Sequence, residues 1–243
     1  MSKQAVELRA VVAEIIREKL PIIGEKYESR KLEDPLEIKR ARQLATQVFA
    51  RLGKISPEDL DDEGILKHDV ILPISTFFGT FEGDKLSATG RLLWDEDTTI
   101  DNFRMPIDNI DQVHADFLRD QPAGSIAEIG SLAKADGSRT VAVLKTLREM
   151  WTFADRNEIT TFTCGLEPNV LARYEAMFGA ALTLLSEETV EFPGIHGQQV
   201  PIMIDVRDSV HRQRGTQHKS VSQRIERAVV GPFITRDSPS VKK

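Results

Sequence analysis

Residues 126–164 read IAEIGSLAKADGSRTVAVLKTLREMWTFADRNEITTFTC, and the succession of patterns within them decides the fold. Ile126 to Ala133 is an apolar stretch of strand length. Ser138 to Arg156 then sets Val141, Leu144, Leu147, Trp151 and Ala154 on one helical face, and Ile159 to Cys164 is again a short strand. A strand–helix–strand step with a crossover of this length joins two parallel strands.

The flanking patterns are different. Upstream, Val70 to Phe81 and Leu86 to Trp94 are rich in β-branched and aromatic residues and meet at Gly83-Asp84, which predicts a β-hairpin. Downstream, Pro168 opens a helix reaching Phe178, and Leu182 to Phe192 and Val200 to Val206 read as paired strands across Pro193-Gly194. One parallel step within an antiparallel order predicts an α+β domain with a mixed sheet and helices on its faces. Two helices precede the hairpin. Val6 to Leu20 carries helical spacing and closes at Pro21. A second opens at Asp34-Pro35, runs through Ile38, Ala41, Leu44, Ala45, Val48, Phe49 and Leu52, and stops at Gly53. Ser56 to Gly64 reads as an acidic loop. Asp95 to Pro122 reads as a long polar insertion with a short amphipathic piece at Val113 to Leu118.

Length and composition bound the rest. The chain has 243 residues, 40% of them hydrophobic and 29% charged, as expected of one folded domain with appendages. No apolar run approaches the roughly 20 residues that span a bilayer. The start MSKQAVELRA lacks the apolar stretch of a signal peptide. Cys164 is the single cysteine, so no internal disulfide is expected and a reducing, cytoplasmic location fits. Five scattered histidines give no metal-binding spacing, and no metal is expected. The net charge of −6 argues against nucleic acid as a partner, although the segment from Arg207 onward is basic. The expected layout is an N-terminal helical extension over 1–34, a main α/β domain over 35–206 and a polar basic tail over 207–243.

The chain resembles, in the order and spacing of several short elements, the GNAT-fold synthases of N-acyl amino acids and acyl-homoserine lactones. Val48-Phe49-Ala50-Arg51-Leu52 is similar to their Val-Phe-x-x-Arg-Leu element. Gly90-Arg91-Leu92-Leu93 is similar to the Arg-Leu end of a central strand. Ala127-Glu128-Ile129-Gly130-Ser131 follows their Glu-x-x-Arg strand, with Ser131 where arginine is usual. Pro168 to Gly179 and Phe192-Pro193-Gly194 are similar to the amino acid synthases. The helix arginine of the lactone enzymes falls on Ala45, with Arg42 one turn earlier.

The resemblance implies a GNAT-like acyltransferase that moves an acyl group, long-chain by this likeness, from a thioester to an amine. No permanently bound cofactor is implied; acyl carrier protein or coenzyme A would bring the acyl group as co-substrate. The strand holding Gly130, Ser131 and Leu132 would splay from its parallel neighbour and pair with the acyl-pantetheine arm. Glu128 is either the base for the amine or the structural partner of Arg91, and Arg91 either that partner or a carboxylate binder. Tyr174 is either a half-buried helix residue or the acid for the leaving thiolate. Arg42 and Asp62 are candidates for holding the acceptor, with a solvated turn as the other reading of Asp59, Asp61 and Asp62.

The turn Lys134 to Thr140 lacks the paired glycines that cradle a pyrophosphate at a helix N-terminus. Lys134, Ser138, Arg139 and Arg148 could instead contact phosphopantetheine or an acidic carrier protein. Three other functions stay open: an autoinducer-type lactone synthase, a coenzyme A-dependent acetyltransferase, and a non-catalytic carrier-binding protein.

Overall fold

A computed structural model describes residues 26–206. The helix expected at Val6 to Leu20 and the tail from Arg207 lie outside the described residues.

The sheet is built from β1 (Tyr27–Lys31), β2 (Ser75–Glu82), β3 (Lys85–Leu93), β4 (Ile126–Lys134), β5 (Thr161–Leu166), β6 (Leu182–Leu184), β7 (Val190–Glu191) and β8 (Gln198–Asp205). Its order is β1-β2-β3-β4-β5-β8-β6, with β7 pairing β8 to one side. Only β4 and β5 are parallel, as the strand–helix–strand reading requires. The helices are α1 (Pro35–Arg51), α2 (Gln112–Arg119), α3 (Thr140–Arg156) and α4 (Pro168–Phe178).

Local chemistry explains the element ends. Asp34 caps α1 by accepting the Leu36 N–H at 3.0 Å, and Pro35 occupies the first turn. The β2–β3 hairpin turns at Gly83, whose φ of +59° suits a residue without a Cβ. Strand β2 starts at Ser75 rather than Val70, because Leu72–Ile74 form a 3-10 turn around Pro73 and Val70 is exposed. Tyr27–Lys31, expected within the helical extension, is the first strand of the sheet and pairs antiparallel with β2. The expected boundary at residue 34 therefore falls between two parts of the same sheet layer. The strand expected from Leu182 to Phe192 is interrupted, and only Leu182–Leu184 and Val190–Glu191 pair with β8.

Side chains alternating along β3 separate the two faces. Gly90 lies against Met150 and Thr146 of α3, while Arg91 turns to the side of α1. The main core lies on the α3 side. There Trp151 stacks on Phe178 of α4 at 5.1 Å and meets the edge of Phe162 of β5 at 4.7 Å.

The insertion between β3 and β4 forms a second apolar cluster instead of a polar loop. Ile100, Met105, Ile107, Ile110 and Leu118 are buried with Leu185 and Phe192. Their irregular spacing follows two 3-10 turns, so no helical or strand period marks it in the sequence. Trp94 Nε1 donates to the Gly124 carbonyl at 2.7 Å and closes the base of the insertion.

Candidate active site

Strands β4 and β5 begin as neighbours and then part. Parallel pairing covers only Ile126 to Glu128 against Thr161 to Thr163, whereas β4 continues to Lys134 and β5 to Leu166. A cleft of about 330 Å³ lies where they diverge. Gly130, Ser131 and Leu132 are on its wall, facing Cys164 and Leu166 across the gap, and Val143, Leu144 and Leu147 of α3 add apolar surface. Thr140, the first residue of α3, also lines it.

A second, much smaller cavity of about 40 Å³ lies on the α1 side. Arg42, Asp69, Arg91 and Arg104 bring charge to it. The two cavities share Phe49, Gly130, Ser131 and Ile195. Gly130 is thus common to an apolar cleft and a cationic pocket.

The backbone at this junction is irregular. Arg91 pairs with Ser131 and Leu92 with Ile129, so Gly130 is the extra residue of a β-bulge between β3 and β4. Its carbonyl accepts Nη2 of Arg104 at 2.5 Å. Cβ on residue 130 would come within 3.2 Å of both that guanidinium and Leu93, so glycine lets the insertion close onto the strand.

Arg91 and Glu128 are both buried, but they do not pair with each other. Arg91 makes a bidentate contact with Asp69 at 2.8 and 3.0 Å, and its Nε donates to Ser75 Oγ at 2.7 Å. Glu128 accepts the Met105 N–H at 2.8 Å and faces Nε of Arg104 at 3.4 Å. The register sets them apart: Arg91 lies opposite Ser131, whereas Glu128 lies opposite Leu93, two residues further along β3. Burial pushes the Glu128 carboxyl above the ordinary carboxylate range, opposed by the Arg104 charge and the Met105 N–H. Burial likewise pulls Arg91 down from its usual value, while Asp69 pulls it back. Glu128 lines neither cavity.

Other expected residues divide between the two cavities and the surface. Tyr174 of α4 lines the large cleft, and burial raises its phenol above the ordinary value. Arg42 reaches Asp69 at 3.6 Å in the small pocket, and its buried Nε has no hydrogen-bond partner. Asp62 is exposed and lines neither cavity. Its neighbour Asp61 spends its carboxylate on the Glu63 and Ile65 N–H groups of the turn, the solvated-turn arrangement. Lys134 donates to the Ser138 carbonyl at 2.5 Å, Ser138 is buried, and Arg139 is exposed ahead of α3. Arg51 and Asp136 form an exposed ion pair across the same loop. Arg148 lies on α3 and lines neither cavity.

Two charged residues of the small pocket, Asp69 and Arg104, escaped the sequence reading. Asp69 precedes an apolar run and carries no motif. Arg104 had a weak signal, a single charge between Phe103 and Met105 in an otherwise polar insertion.

Among solved structures, the chain superposes on FeeM, an N-acyl amino acid synthase from uncultured soil microbes. The TM-score is 0.57 at 18% identity, over 81% of this chain and 97% of that one. The lactone synthase LasI gives 0.51 at 14%, over 74% and 89%. The CoA-dependent acyl-homoserine lactone synthase MesI gives 0.51 at 14%, over 80% and 88%. The chain has a GNAT-like fold. At these identities the likeness reaches the fold alone. The sequence matches no protein-family model and no curated protein. No helix among the described residues is long and apolar enough to cross a membrane.

Proposed function

We propose that this GNAT-like protein is an N-acyltransferase that moves a long-chain fatty acyl group from a thioester to the amine of an amino acid. One observation carries the reading: an apolar cleft at the β4–β5 divergence and an arginine-lined pocket meet at Gly130 and Ser131. An acyl chain and a carboxylate need opposite surroundings, and here the two environments share one wall.

The acyl-pantetheine arm would lie along the β5 side of β4, where parallel pairing stops at Glu128. A free amine in the small pocket attacks the thioester carbon across Gly130–Ser131. The C–N bond forms as the carbonyl becomes an oxyanion, which backbone N–H groups of β4 stabilise. The C–S bond then breaks and the electron pair leaves on sulfur. Tyr174, kept protonated by burial, donates to the thiolate, and the proton released by the amine returns to Tyr174 through water. Arg42 and Arg91 would hold the acceptor carboxylate, with Asp69 fixing the plane of Arg91. Glu128 serves by orienting Arg104 and the Met105 N–H, a positioning role.

Acyl carrier protein is the donor this reading favours. The Lys134–Ser138 loop turns its one ammonium onto its own carbonyl and offers no glycine-lined cradle for a nucleotide pyrophosphate.

The test offers purified protein palmitoyl carrier protein or palmitoyl-coenzyme A, with either mixed amino acids or S-adenosylmethionine, and follows products by mass spectrometry. N-palmitoyl amino acids are the expected product, faster from the carrier protein. Lactone formation from S-adenosylmethionine, with no amino acid consumed, would overturn the assignment.

A further inference from the structure

The small pocket limits the acceptor more tightly than its charge alone does. We infer that the acceptor is one of the smallest α-amino acids, glycine first, with alanine and serine behind it. This rests on the acyl transfer proposed above.

The argument starts from volume. The pocket is about 40 Å³, against about 330 Å³ for the acyl cleft. A cavity of roughly 150 Å³ is what takes up a benzene ring, and a single water needs on the order of 10–15 Å³. The pocket therefore has room for about three waters. A carboxylate, one α-carbon and an amine reaching toward Gly130 fill that space. A phenyl or phenol side chain does not fit, and neither does the adenosyl group of S-adenosylmethionine.

The walls cannot retreat cheaply. Ile55, Ile65 and Phe77 are each no more than 5% exposed, so their far sides are already packed. Phe49 and Ile195 stand between the pocket and the acyl cleft and would meet any side chain that turned that way.

The polar end of the pocket selects one carboxylate. Both Asp69 oxygens are occupied by Arg91, and Nη2 of Arg42 stands 3.6 Å from one of them. Nε of Arg42 is buried and has no partner. Three guanidinium groups face the pocket, and the two carboxylates paired with them are Asp69 and Glu128. One further anion balances the cluster and satisfies the open donor.

The test measures kcat/KM for glycine, alanine, serine, leucine, phenylalanine and tyrosine with one palmitoyl thioester and the full-length protein. Glycine should exceed leucine by at least about tenfold and the aromatic acids by still more, the scale at which a closed apolar wall discriminates. Ile65→Ala and, separately, Ile195→Ala should raise leucine relative to glycine by about tenfold, by removing wall atoms. Equal or better use of phenylalanine or tyrosine by the unaltered protein would overturn the inference and leave the acyl transfer standing. Transfer to none of the six would remove both. The unaltered protein answers the question even if Ile65→Ala fails to fold.

Discussion

Glu128 illustrates how a single buried charge can act through its neighbours. Its carboxylate anchors Met105 by a 2.8 Å hydrogen bond and faces the Arg104 guanidinium. Arg104 in turn holds the Gly130 carbonyl, and a planar peptide then fixes the direction of the Ser131 N–H as well. Glu128→Gln keeps the shape and one acceptor for Met105 but loses the charge on Arg104. Turnover of the acyl thioester should fall by at least about tenfold, a smaller effect than the loss of a general base, as suits a residue that acts through its neighbours. Unchanged turnover in a folded variant would remove Glu128 from the machinery.

The same carboxyl leaves a mark on stability. Its folded pKa lies above that of the unfolded chain because burial disfavours the charge. The folded state thus holds its proton longer, and stability declines as pH rises from the ordinary carboxylate value, about 4.3, to the raised one. Above that window this contribution is flat. The Gln variant has no such group, so its urea midpoint should lack this part of the decline. Identical pH profiles for the two proteins would contradict the assignment.

At the scale of elements, the site depends on how closely α3 approaches β3. Gly90 makes that approach possible, because a Cβ there would stand 2.7 Å from Met150 Sδ and 2.9 Å from Thr146 Cγ2. Thr146 cannot yield easily. It is buried, β-branched, and hydrogen-bonded to Thr80 at 2.7 Å and to the Ala142 carbonyl at 3.0 Å. Gly90→Ala should cost about 1–3 kcal/mol, the usual penalty for overpacking a dense core. A lower urea midpoint at unchanged m-value is the expected result. No change in midpoint would show that α3 and β3 pack more loosely than described.

Element identity was largely readable because its causes are local. Asp34-Pro35 starts α1, Gly83 turns the hairpin, and Pro168 opens α4. What was misread had no local cause. Tyr27–Lys31 is a strand because β2 offers it an open edge. The insertion packs because Leu185 and Phe192, far along the chain, supply the other half of its cluster.

Over the whole molecule, the described residues 26–206 already hold an eight-stranded sheet and its packed clusters. The basic segment from Arg207 should therefore be dispensable for the chemistry. A chain ending at Val210 should unfold cooperatively and keep its transfer activity. Loss of the cooperative transition on truncation would show that the segment contributes to the core or to a partner's surface.

The sequence by itself determined the order of the main elements from α1 to α4, the single parallel step and the strand carrying Glu128 and Gly130, because periodicity, caps and turn residues act within a few positions. It also named Arg42, Arg91 and Tyr174 as candidates, and the fold sets them on the walls of the two cavities. The tertiary structure alone decided who pairs with whom. Asp69 meets Arg91 from 22 residues away and Arg104 meets Glu128 across 24. Those partners come from the segment leading into β2 and from an insertion folded back onto β4 at the Gly130 bulge, and neither leaves a period in the chain. Pocket volume belongs to the same class, since its walls come from α1, β2, β3, β4 and three connecting segments at once.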